Sequence, residues 1–434
     1  MRRLAQFIAF WEAPLLVALA PLLLFPKSTA GLAMLGVVGL WLARWMAHGR
    51  LIRRTTLDIP ILVILVMVLV SLLVTFNQGL SIPKVTGVVL GIAVFYTMVE
   101  KIEGETAIWW GLALFIAIGC GIGMLGLIGM SRFPKIGPMA WLIPRLPRVV
   151  IQLPGSPEDG FHPNQVAGAM LWLFPLLITM LVVHPLVPGL PGLKLPTWLT
   201  RALITSMLTL TGGILLVTHS YSAYVGMAVS LVILIWLLVP RARLWMMMSA
   251  VLTLASLLAL SAPIAAHIQA KSNLTLVNDR LQSIAFRLEI WQQAVEAIRD
   301  FPVTGIGMGT FRYVAQTWYR PPEFPAGREI GHAHNHVLNA ALDLGLPGLI
   351  GYLWLWIVTI IMLVQLIISS NHSVWRIVSS GLLSSMIAHF VWGMSDANAL
   401  GSKPGLLLWM CFAIVTSMYN TNYLRADSRK FMVK

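Results

Sequence analysis

HAHNHVLNAALDLGLPGLIGYLWLWIVTIIMLVQLIIS, residues 332–369, joins a polar interval bearing three histidines to an apolar run, 345–369. A hydrocarbon core of about 30 Å needs roughly 20 apolar residues in a helix, and this run has the length. The join predicts a membrane-spanning helix whose approach carries polar chemistry. Working outward, runs of the same kind fall near 7–25, 29–47, 58–76, 84–99, 107–130, 165–184, 202–218, 222–239, 244–265, 375–393 and 404–422. Gly87, Gly91, Pro14 and Pro21 interrupt some of these and predict tilts or kinks. The expected fold is all-α: a polytopic membrane protein of about twelve transmembrane helices with one large external loop region that itself contains helices.

Composition agrees. The chain is 58% apolar and 11% charged, whereas about a quarter of the residues of a soluble domain are charged. The basic start, MRRLAQ, is not followed by a short apolar core and a small-residue cleavage site, so the first run reads as a retained helix. Cys120 and Cys411 sit in apolar runs without metal-type spacing. The net charge of +14 is accounted for by membrane orientation and anionic lipid headgroups. No aromatic-basic motif accompanies it, so nucleic acid is not an expected partner and membrane lipids are.

With the N-terminus cytoplasmic, an even number of spans returns the basic tail Arg425–Lys434 to the cytoplasm. Two other basic segments then fall outside against the usual bias: 131–164, with Arg132, Lys135, Arg145 and Arg148, and 266–343, with Lys271, Arg280, Arg287, Arg299, Arg312, Arg320 and Arg328. Binding of something anionic explains that violation most simply. The chain divides accordingly into 1–265, nine spans with the external loop 131–164; 266–343, an external catalytic region; and 344–434, three spans and a cytoplasmic tail.

Within the second region Ile284, Leu288, Trp291, Val295 and Ile298 recur at helical steps and predict one apolar face, ended by Pro302, with Arg287 beside it. Arginine suits phosphate because its planar fork donates two parallel hydrogen bonds and stays charged. The bland alternative is a surface ion pair with Glu289 or Glu296. GIGMG, 305–309, lacks the Lys-Ser/Thr of a phosphate loop, so a tight turn at a close approach of helices is favoured over a phosphate cradle. His332, His334 and His336 alternate, but no further ligand stands at zinc-site spacing, and no metal or other cofactor is expected. Asp396, at the end of a span, reads as an arginine partner or part of a polar site.

These residues resemble the C-terminal region of the O-antigen ligase and O-antigen polymerase superfamily, bacterial membrane glycosyltransferases, with the ligases nearer. His334-Asn335, nine residues, Gly345 and Gly348 fit the ligase motif at every position. Arg287, Trp291, Pro302, Gly305, Gly307, Gly309 and Phe311 resemble the upstream motif, and FHPN, 161–164, resembles an Asn-Pro-Asn-type entry to a span. One departure stands out: Tyr221 occupies the position of an arginine that the family uses for pyrophosphate.

The resemblance implies a multi-pass protein of the bacterial inner membrane with its site facing the periplasm. It would move a glycan from a polyprenyl-pyrophosphate carrier to a sugar hydroxyl of an acceptor glycan or glycolipid, with inversion and without metal. His334 and Arg287 are the implied catalytic residues. Asn335, Arg280, Arg312, His219, Tyr221, Asn164, Gly305, Gly307 and Gly309 are the implied substrate-binding residues. A polymerase joining lipid-linked repeat units would differ only in its acceptor. A polysaccharide or lipid transporter would place charges inside the spans, where they are sparse.

Overall fold

A computed structural model describes residues 1–26, 30–130, 161–183, 195–248, 275–319, 330–369, 373–398 and 400–432, without the side chains of 275–285, 373 and 423–432. Among these residues the regular structure is helical, with one isolated bridge between Met130 and Phe161. The protein is an all-α polytopic membrane protein. Eight described helices are long and apolar enough to cross a membrane, or nine if a bent pair counts as one span, and Asp58–Val74 is apolar but shorter. The predicted run 244–265 lies mostly outside the described residues.

The kink expected from Pro14 is sharp. Instead of one helix, α1 (Arg2–Phe10) and α2 (Glu12–Leu24) meet at Trp11 with a bend of 69°. Pro14, in the first turn of α2, excludes a continuous helix because its ring would meet the Phe10 carbonyl four residues back, and Glu12 anchors the bend. Its carboxylate is buried against the guanidinium of Arg44 in α3 (Ala30–His48) and also accepts from the Thr97 hydroxyl at 3.0 Å. The Lys101 ammonium meanwhile donates to the carbonyls of Ala9 and Phe10, a cation where the helix dipole is negative. Both groups hold the chain at the bend.

The spans that position the site are α4 (Asp58–Val74), α5 (Gln78–Lys101), α6 (Gly104–Gly129), α7 (Pro163–Met170), α8 (Phe174–Val183), α9 (Thr197–Thr218) and α10 (Tyr221–Leu238). After α10 come α11 (Thr275–Asp300), α12 (Phe311–Thr317), α13 (His336–Ser369), α14 (Ser373–Gly393) and α15 (Leu406–Met432). Helix α13 lies along α4 and α14, α14 along α8 and α10, and α15 along α5. Their shared core holds Trp172, Trp356, Trp392 and Trp409, all fully buried. In a bilayer, packing rather than hydrophobic expulsion drives such association. Small residues let the backbones close: a Cβ on Gly226 of α10 would strike the Ala388 carbonyl of α14.

A separate apolar cluster lies beyond this core. It is built from Ile290, Ala294 and Ala297 of α11, Ile306, Phe311, Val314, Ala315, Ile330, Ala333 and Leu342. Burying each large member contributes about 1.5–3 kcal/mol. The buried face of α11 is therefore 290, 293, 294 and 297, with Trp291 and Ile298 at its edge. Leu288 and Val295, assigned to that face from their spacing, are exposed. Periodicity selected the large residues, whereas the close approach of the helix selected alanine.

The cluster is joined to the membrane core at Gly345, where α13 kinks (φ 67°, ψ 179°), a conformation essentially reserved for glycine. Before the kink, Leu338 and Leu342 pack in the second cluster while Ala340 and Leu344 pack in the main core, and after it runs the long apolar helix. The Pro302–Gly305 turn fills the kink: Leu346 N–H donates to the Pro302 carbonyl at 2.7 Å and Ile306 N–H to the Leu342 carbonyl at 2.8 Å.

Candidate active site

The histidine segment is shaped by what it buries. Ile330 and Ala333 plug into the second cluster, which leaves His332 and His334 to face away from it. The His334 N–H donates to His332 Nδ1 at 3.1 Å, and His334 takes a left-handed conformation (φ 47°). Among the described non-glycine residues only His219 shares that feature. Strain of this kind costs on the order of 1–3 kcal/mol and clusters at functional sites.

Asn335 then sets the distance to the opposite wall. Its Oδ1 accepts from the Val337 and Leu338 N–H groups, capping α13, and its Nδ2 donates to the Met394 carbonyl at 3.1 Å. The tether brings in Asp396, which is 1% exposed. Its Oδ1 lies 3.7 Å from His332 Nε2 and 3.8 Å from His334 Nδ1, and accepts from the Ala397 N–H at 2.8 Å. Burial alone would raise the Asp396 pKa, but the interactions with His334 and His332 and the Ala397 N–H hold it below the ordinary carboxylate range. His332 is also held below its usual value, by burial first and by the neighbouring His334 next, against the pull of Asp396.

His334 Nδ1 is buried without a hydrogen-bond partner, as is Asp396 Oδ2. Since 22% of the His334 side chain is exposed, the accessible edge of the ring is the other one, which carries Nε2. The arrangement is an imidazole whose rear nitrogen faces a carboxylate and whose front nitrogen faces outward.

Cations gather around this pair. Trp291 Nε1 donates to the Ala333 carbonyl at 3.0 Å, so α11 rests on the loop between the two histidines. Arg287 stands one turn earlier, and residues four apart share a helix face with Cβ atoms about 5–6 Å apart. It is half-buried and has no ion-pair partner among the described residues. Arg312 Nη2 would lie 3.9 Å from a Cβ on Gly331, next to His332. Lys84 of α5 is close enough for its charge to act on His332, and it feels the charges of Asp343 and Arg312. The Arg280 side chain, the segment 131–160 and residues 320–329 lie outside the described residues.

Several residues expected to bind substrate have other work. Gly305, Gly307 and Gly309 all have positive φ, and a Cβ on Gly305 would meet the Leu342 carbonyl. The N–H groups of Gly305 and Gly309 are taken by the Phe301 carbonyl and Asp343 Oδ1. The turn is tight and sits at a close approach, with two of its three glycine N–H groups already engaged. The Asn335 amide is spent on the cap and the tether. His336 is core: its Nδ1 pairs with the Tyr352 hydroxyl at 2.9 Å among Phe390 and Trp356.

Other elements close the site. His162 caps α7 by accepting from the Asn164 N–H at 3.3 Å, and its charge acts on His332. The α9–α10 turn, with His219 and Tyr221, stands near the level of Asp396, because Gly226 already meets Ala388 and Trp392 one to two turns deeper. His219 Nε2 is buried without a partner, while Tyr221 is 57% exposed.

Sequence reasoning offered Asp396 as an arginine partner or part of a polar site without pairing it to the histidines, and left Lys84 out. The usable signal for Asp396 was a carboxylate at the mouth of a span. Lys84 gave none, since a lysine near a span end is ordinary. His332, His334 and Asp396 also offer one ligand atom each within 4.8 Å of one another, a set able to hold a metal ion.

Residues 206–353 match the family model described as O-antigen ligase. Over this region, about a third of the chain, the protein is similar to the O-antigen ligases, which supports a relation to that superfamily. The match takes in His219, Tyr221, Arg287, the glycine turn and His334, and ends before Asp396. No curated protein matches the chain significantly.

Proposed function

We propose that this protein transfers a glycan from a polyprenyl-diphosphate carrier to a hydroxyl of an acceptor glycan or glycolipid, on the periplasmic face of the inner membrane. The supporting observation is the His334–Asp396 pair. An alcohol is a poor nucleophile at neutral pH, and an imidazole is a suitable general base. His334 Nε2 takes the hydroxyl proton while Nδ1–H, turned to Asp396, stays put and the carboxylate steadies the imidazolium. The freed oxygen attacks the anomeric carbon from the side opposite the diphosphate. One C–O bond forms, the C–O bond to the diphosphate breaks, and the configuration inverts.

The leaving diphosphate gathers charge as that bond breaks. Arg287, with Arg312, Arg280 and Lys84 behind it, is the proposed counter-charge; fixed cations of this kind stabilise a developing anion without reorganising. The reaction so written needs no divalent ion. Lys84 also offers a cation in a chain where the family's pyrophosphate arginine is Tyr221.

The test is transfer by purified full-length protein given a lipid-linked repeat unit, with and without an acceptor glycolipid. Product on the acceptor supports the ligase. Longer carrier-linked chains in both reactions would make it a polymerase, and no transfer to either acceptor would remove the reading.

A further inference from the structure

We infer that His332, His334 and Asp396 form a site for a divalent transition cation such as Zn²⁺, and that its occupancy switches the proposed base off. This rests on the assignment of His334 as that base. Two imidazoles and one carboxylate are a suitable donor set for zinc. One ligand atom from each of the three residues lies within 4.8 Å of the others, and the nitrogens nearest Asp396 Oδ1 are His332 Nε2 and His334 Nδ1, at 3.7 and 3.8 Å. Bonds of about 2.0–2.2 Å at tetrahedral angles put ligand atoms about 3.3–3.5 Å apart. On the carboxylate side the closure needed is only a few tenths of an ångström. Those distances are too long for hydrogen bonds.

A further observation points to a ligand. His334 Nδ1 and Asp396 Oδ2 are buried with no partner, and an unsatisfied buried polar atom costs about 1–3 kcal/mol. His332 Nδ1 accepts from the His334 N–H, so without metal its ring proton sits on Nε2; ligation through Nε2 moves that proton to Nδ1 and releases the His334 N–H.

The consequence for catalysis follows from proton bookkeeping. In the working state Nδ1 of His334 carries the ring proton and the Nε2 lone pair is free. A cation on Nδ1 leaves the neutral ring with its proton on Nε2, where nothing further can be accepted. The His332 ring likewise stays neutral, with its proton on Nδ1. The site is thus inhibitory, and the cation is not part of the reaction.

The experiment titrates full-length protein in nanodiscs with zinc chloride against a chromophoric zinc chelator, and separately measures transfer. His332→Asn keeps an acceptor for the His334 N–H but deletes the Nε2 ligand, and His332 has no step in the proposed reaction. Expected is one zinc per chain, with affinity falling in His332→Asn and Asp396→Asn by at least the ~10–100-fold that loss of an outer-shell partner costs. Zinc should inhibit the wild-type chain at concentrations that leave His332→Asn active. Zinc binding that is absent, or unchanged in both variants, overturns the inference. The base reading is judged apart, by zinc-free transfer in His334→Ala.

Discussion

Asp396 Oδ1 stands 3.8 Å behind His334 Nδ1, and the carboxylate that makes this approach belongs to a segment sixty-two residues further along the chain. In a free enzyme such contacts are often long and tighten only with substrate bound. A buried carboxylate facing the rear nitrogen fixes which ring nitrogen carries the proton. His334→Ala should lower the chemical step by about 10²–10⁴-fold with donor binding nearly intact. Asp396→Asn should lower it too, because a carboxamide can present an N–H to Nδ1 and favour the wrong tautomer. Single-turnover transfer beside donor binding checks this. Near-normal turnover in both variants would remove the pair from the mechanism.

Arg287→Ala is expected to weaken donor binding or leaving-group departure, and Lys to restore only part, since a point charge cannot reproduce the two parallel hydrogen bonds of the fork. Trp291→Phe removes the indole donor to the Ala333 carbonyl and should lower turnover without abolishing donor binding, by loosening the loop that carries His334. Full rescue by lysine would show that charge alone suffices at 287.

How far these residues could be read beforehand depends on the reach of the signal. The spans were legible because twenty apolar residues have few other uses, and His334, Arg287 and Trp291 because their spacing matches a family pattern. The buried face of α11 was not, since Ala294 and Ala297 look unremarkable next to Leu288 and Val295 until a neighbour is known to lie close. The role of Asn335 as cap and tether needed the Met394 carbonyl, which no local pattern supplies. At Trp11 the kink was legible in Pro14, but its anchor was not, because Glu12 meets Arg44 and Thr97 only after three helices have packed.

That buried pair makes a stability prediction. Breaking one partner leaves an uncompensated charge and costs about 3–5 kcal/mol, whereas replacing both with apolar residues of similar volume is often neutral. Glu12→Ala should therefore lower the thermal midpoint in detergent well below that of the double change Glu12→Leu with Arg44→Met. If the double variant is the less stable, the pair contributes more than it costs to desolvate.

Gly345→Ala tests the kink. The backbone there is in the glycine-only region, at a cost of about 1–3 kcal/mol for other residues, and the added Cβ would also strike the Val303 carbonyl. The expected result is a lower thermal midpoint and reduced transfer together, since the same kink joins the second cluster to the long apolar helix. A variant of wild-type stability would mean that the turn at 302–305 yields to the Cβ at little cost.

Chelation separates a required cation from an inhibitory one. With Arg287, Arg312 and Lys84 countering the diphosphate, transfer should persist in excess chelator, and it should rise if the preparation carries zinc between His332, His334 and Asp396. His332→Asn should show no such rise, because it lacks the Nε2 ligand but keeps the acceptor that shapes the loop. Activity lost on chelation and restored by zinc would reverse the assignment. Those three residues would then hold a working metal, and His334 would be a ligand and not the base. Activity lost on chelation and restored by magnesium alone would instead place the requirement on the diphosphate, where the cations of the chain would be insufficient.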